Sequence, residues 1–310
     1  MTPDLRHDEA MKPSPAVLCL VSVLGLSACS GDGGSDGSRN GESKASTSNS
    51  GTSANSSTQP FNGKTSCTDV VYVGDSVSVG MVSKDQIPNR AERLEARFAN
   101  VGVKNLYVNA SGGRSVFERF MNRPNVMDVL TPKLTSTFKG CYVIATGTND
   151  AANDHTGSNM KIRQRIDTVV KATKGRPVLW PLPATIATNG SYNDAYMRDM
   201  DAQLRDATKR YPNLRLYDWR AEREEEWVEG DRIHDDRLGS RYRAAMYANA
   251  LAVAFPQGRP ANPSTVVGSA WGKKPSPANR PKLPSVKGDA VAFWAGDKKA
   301  VELYESGRKP

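Results

Sequence analysis

Five short apolar runs, rich in β-branched residues and each closed by a turn, most constrain what this chain can become. They lie at 69–73, 104–109, 141–146, 178–182 and 214–219. Runs of this kind suit buried strands. Between and after them stand stretches with helical spacing, at 91–100, 126–137, 160–173, 194–210 and 242–255. Pro132 is expected to kink or split the second of these. Strands alternating with helices predict the α/β class, with a five-stranded parallel sheet covered on both faces. Right-handed crossovers make it a doubly wound, three-layer α/β/α sandwich. In such sheets ligands sit beyond the carboxyl ends of the strands, so the residues just after each apolar run are where chemistry is expected.

Gly74-Asp75-Ser76 follows the first run. A serine at a strand-to-turn junction is exposed at the sheet edge, but its hydroxyl is a poor nucleophile without a base. The chain has three histidines, His7, His155 and His234. His7 precedes the expected mature protein, and His155 reads as a surface residue in a polar loop. His234 stands in Gly230-Asp231-Arg232-Ile233-His234, after the fifth run and before the last helix. Asp231, three residues ahead, can fold back in a turn and hold the imidazole in the tautomer that accepts a serine proton. Asp235 and Asp236 are alternative partners. Acyl transfer also needs donors aimed at a developing oxyanion. The loop Asn109-Ala110-Ser111-Gly112-Gly113-Arg114 and the loop Gly147-Thr148-Asn149-Asp150 are both placed to supply them.

The order G-D-S, then glycine, then G-x-N-D, then D-x-x-H resembles the SGNH (GDSL) hydrolase superfamily, over about residues 69–256. The resemblance implies the flavodoxin-like SGNH fold, with Ser76 as nucleophile, His234 as base and Asp231 orienting it. It places the Ser76 N–H, Gly113 and Asn149 in the oxyanion hole. Gly112 is the alternative to Gly113, which is preferred because Gly113-Arg114 resembles the second block of envelope O-acyltransferases. The superfamily needs no metal or other cofactor. The implied activity is ester hydrolysis through an acyl-serine, on a carboxylic ester or an acylated carbohydrate. Transfer of the acyl group to a cell-envelope glycan is the second reading, for which a separate membrane protein would supply the acyl donor. A catalytically inactive binding lipoprotein on the same scaffold is the third.

The N-terminus points outside the cell. Met11-Lys12 precedes an apolar run at 16–26, too short for a membrane span but suited to a signal-peptide core. It ends in Leu26-Ser27-Ala28-Cys29, which resembles the bacterial lipobox, with Cys29 lipidated. Residues 1–28 are then the signal peptide, with Met1 or Met11 as the start. Residues 29–64 form a Ser/Gly-rich tether with little to bury. The expected location is the outer face of the bacterial cytoplasmic membrane, held by the lipid alone. Cys67 and Cys141 remain in the body, where export permits a disulfide. Ser76 is nine residues after Cys67 and Asn149 eight after Cys141. If the first and third strands are parallel neighbours, these offsets bring both cysteines together at the far end of the sheet. The hydrolase domain is expected over 65–256. Residues 257–310 read as a basic, Pro/Lys-rich, extended arm, in which 291–294 and 299–304 can form a short helix docked on the domain. The formal net charge of +9 allows an acidic polymer or membrane surface as neighbour. No nucleic-acid-binding motif accompanies it, so nucleic acid is not expected.

Overall fold

The computed structural model of the protein describes residues 63–271. The expected signal peptide, Cys29, most of the tether and the expected short helix of the arm lie outside the described residues. Among those described, no helix is long and apolar enough to cross a membrane.

The centre is a parallel sheet of β1 (Asp69–Gly74), β2 (Asn105–Ala110), β3 (Cys141–Ala145), β4 (Val178–Pro181), β5 (Leu214–Tyr217) and β6 (Val266–Val267). The strand order is β2-β1-β3-β4-β5-β6. Side chains alternate across a strand, and β1 uses that alternation fully. Val70 and Tyr72 enter one buried cluster, and Val71 and Val73 enter the other. The first cluster packs α2 (Leu94–Asn100) and the alanine-rich α8 (Arg237–Ala254) on one face. The second packs α3 (Val126–Leu130), α5 (Ile162–Ala172) and α6 (Asp194–Arg210) on the other. A strand can be apolar throughout only when both faces are covered, and β3 and β4 are buried at every residue.

The sheet departs from expectation by one strand. A sixth, β6, comes from beyond the expected domain end at 256 and pairs with β5. It docks through polar anchors: Arg215 Nε donates to the Asn262 carbonyl at 2.6 Å, and the Ser269 N–H donates to Glu222 Oε1 at 2.8 Å. The 126–137 stretch does split, with α3 ending at Leu130 and a 3-10 turn containing Pro132 following it. Cys67 and Cys141 form a disulfide that closes a 74-residue separation. Val70 is the register partner of Cys141, so the disulfide joins the amino-terminal end of β1 to that of β3, away from the turn at Ser76.

Candidate active site

In this strand order the chain leaves the sheet in opposite directions after β1 and β3, and a crevice opens between their carboxyl ends. Ser76 begins α1 (Ser76–Val82) directly after β1, and Asn149 lies in the first turn of α4 (Thr148–His155), directly after β3. Asp75 caps α1, its carboxylate accepting the Val77 N–H at 3.2 Å. Gly74 is required just before it, because a Cβ there would run into the Ser78 side chain.

His234 comes to the same place from the turn between β5 and α8. Its Nε2 is 2.8 Å from Ser76 Oγ, and its Nδ1 is 2.6 Å from Asp231 Oδ2. The other Asp231 oxygen accepts the backbone N–H groups of Ile233 and His234 at 2.9 and 3.0 Å. The carboxylate therefore shapes the turn and orients the ring with one group. Arg232 takes a left-handed φ of 66° to close that turn. Burial opposes ionisation of Asp231, but the hydrogen bond and charge of His234 and the two amides outweigh it and hold the carboxyl below its ordinary range. The alternative partners are engaged elsewhere. Asp236 caps α8 through the Gly239 N–H, and Asp235 lies 2.9 Å from Arg243.

The other two loops flank Ser76. Gly113 has φ 69°, and a Cβ there would strike the Phe120 ring, so glycine is demanded twice. Among the described residues, no protein acceptor takes the backbone N–H of Ser76 or of Gly113. Asn149 is buried; its Nδ2 donates to the Arg114 carbonyl at 3.1 Å, and Tyr192 Oη donates to its Oδ1 at 3.1 Å. One Nδ2 proton is thus spent on fixing the amide, and the second is left to donate. His155 is not part of the constellation. It ends α4, stacked on Tyr196 and 3.1 Å from Asp199.

Several supporting residues had no role assigned from the sequence, although Arg114 and Asp150 stand inside its motifs. Arg114 is buried and donates to the Gly74 and Asn109 carbonyls at 3.1 and 2.6 Å, tying the ends of β1 and β2 together. Asp150 is buried, accepts the Val116 N–H at 2.8 Å and pairs with Arg165 at 3.0 Å. Arg165 also grips Glu118, so one arginine of α5 joins the segment after Gly113 to the first turn of α4, which holds Asn149. Burial raises the Asp75, Asp150 and Asp235 carboxyls to about 6 each, against the pull of Arg243 on the first and third and of Arg165 on the second.

No family model and no curated protein matches the chain. Solved structures do. An acetyl xylan esterase is 18% identical with a TM-score of 0.43, covering 57% of this chain and 96% of its own. The C-terminal catalytic domain of the Streptococcus pneumoniae peptidoglycan O-acetyltransferase A is 19% identical with a TM-score of 0.41, covering 60% and 91%. A member of the lipolytic G-D-S-L family from Veillonella parvula is 15% identical with a TM-score of 0.41, covering 58% and 94%.

Proposed function

We propose that this protein is a serine ester hydrolase, exported and held at the membrane by a lipid on Cys29. One observation carries the chemistry: Ser76 Oγ, His234 and Asp231 stand in a continuous hydrogen-bonded line at 2.8 and 2.6 Å. In that line His234 Nε2 takes the Ser76 proton as Oγ attacks the acyl carbon, and Asp231 stabilises the imidazolium that forms. The carbonyl oxygen becomes an oxyanion. The N–H groups of Ser76 and Gly113 and the second Asn149 Nδ2 proton are the donors for it. Collapse breaks the ester bond, and His234 returns its proton to the departing alcohol. Water then attacks the acyl-serine with His234 again as base, releasing the acid and restoring Ser76.

The location rests on the sequence before residue 63, above all on the apolar run ending at Cys29. Activity and outcome are tested together. Wild type should release p-nitrophenol from p-nitrophenyl acetate, and Ser76→Ala should be inactive while keeping the wild-type circular dichroism. Turnover retained by Ser76→Ala would refute the assignment. With a soluble chitooligosaccharide present, free acetate as the main product supports hydrolysis. Acetylated sugar as the main product replaces it with glycan transfer.

A further inference from the structure

Beside the Ser76 turn, lined by Asp75 and Val77 on either side of it in the chain, lies a small cavity with a volume of about 10 Å³. Asp75, Thr146, Trp219 and Arg243 are among its lining residues. Each of these four carries a buried polar atom that meets no hydrogen-bond partner: Asp75 Oδ2, Thr146 Oγ1, Trp219 Nε1 and Arg243 Nη1. Four such atoms round one cavity are exceptional, because buried polar groups are nearly always paired.

Arg243 is the link in this arrangement. It rises from α8, fully buried, with its guanidinium 4.4 Å from the centre of the Trp219 ring. Its Nε lies 2.9 Å from Asp235 Oδ2, a contact of charges that is not aligned as a hydrogen bond. Asp235 is the neighbour of His234 in the chain, and Asp75 is the neighbour of Ser76. Neither carboxylate touches the reacting atoms. One cation therefore stands between the residue before the nucleophile and the residue after the base. The His234 and Ser76 turns come from distant parts of the chain, 158 residues apart in sequence, and their 2.8 Å contact needs a common frame.

We propose that Arg243 is a positioning residue: through Asp235 directly, and across the cavity that it lines together with Asp75, it holds the Ser76 turn and the His234 turn in one frame. This rests on the hydrolase reading above. A displacement of about 1 Å in such a frame can cost about 100-fold in rate. Burial of an uncompensated carboxylate must be avoided in the test. The variants are therefore Arg243→Lys, which keeps the charge without the fork, and Arg243→Met with Asp235→Asn, which removes both charges of the pair and leaves Asp75, already raised to about 6 by burial, to take up a proton.

Each is made in the full chain, assayed on p-nitrophenyl acetate, and titrated with a fluorophosphonate that labels activated serines. The double variant should label every chain, but about 10- to 100-fold more slowly than wild type. Its kcat should fall by a similar factor, with KM within about twofold. Arg243→Lys should recover part of both rates. Should the double variant not fold, slower labelling of every Arg243→Lys chain supports the proposal by itself. Fewer labelled chains at the wild-type rate would mean a role in stability alone and would overturn it, as would wild-type rates at full labelling. A wild-type chain that neither labels nor turns over ester overturns the hydrolase reading, and this proposal falls with it. A variant that matches an active wild type overturns only the role of Arg243.

Discussion

Asn149 gives the sharpest case at the scale of a single residue. Its amide is fixed by Arg114 and Tyr192, so its free proton has one direction in which to donate. Asn149→Ala should lower kcat by about 100- to 1,000-fold with little change in KM, the signature of a donor used in the transition state. Steady-state kinetics on a short activated ester measure this. Residues of this kind were legible in the sequence because each chemistry had few candidates. One serine followed a strand with G-D before it, and within the expected hydrolase domain one histidine had an aspartate three residues back. Arg243 was not legible, and Arg114 was read only as part of a motif, without its structural role. An arginine on a helix or in a loop reads as a solvated cation, and only the fold reveals that both are buried.

At the scale of elements, those with a clear apolar pattern were legible, even four-residue strands such as β4 and β5, and those without one were not. α6 spans the expected 194–210, because its apolar side chains Met197, Met200 and Leu204 recur at helical spacing. α4 read as a polar loop, since Thr, Asn and Asp favour turns. It is helical because Ala151 and Ala152 are buried, and because Asp150 and Asn149 are fixed by neighbouring loops. β6 is two residues long and has no pattern to detect; it is a strand only because β5 offers an edge. The Arg165 junction belongs to this scale. Burial opposes Glu118's charge, but hydrogen bonds from Arg165, Ser115 and Ser158 overcome it and hold the carboxyl far below its ordinary range. Glu118→Ala leaves the Arg165 guanidinium with Asp150 as its remaining carboxylate and, because Glu118 is partly exposed, should cost about 1 kcal/mol of stability, read from urea unfolding. Through the Asp150 link it should also slow ester turnover.

For the whole molecule, the buried carboxyls set the pH dependence of stability. Asp75, Asp150 and Asp235 are raised to about 6, and Asp201 to about 7, each chiefly by burial. An unfolded aspartate titrates near ~3.9. Between these values the folded chain holds more protons than the unfolded one, so stability rises as pH falls from about 7 towards 5. Glu118 and Asp231 act with the opposite sign. Their contribution is full above the ordinary carboxyl range and is lost only as pH falls below it. The urea midpoint at constant ionic strength should therefore be higher at about pH 5 than at about pH 8. A midpoint rising from 5 to 8 would contradict the burial of these groups.

The central claim is that Ser76 carries the acyl group between two half-reactions. Mass spectrometry of the protein quenched in acid during turnover of a slow ester tests it directly. The account predicts an added acyl mass on the peptide containing Ser76, its loss on standing in buffer, and no added mass in Ser76→Ala. Ester turnover with no acyl-protein at any quench time, or an acyl mass on another peptide, would contradict it.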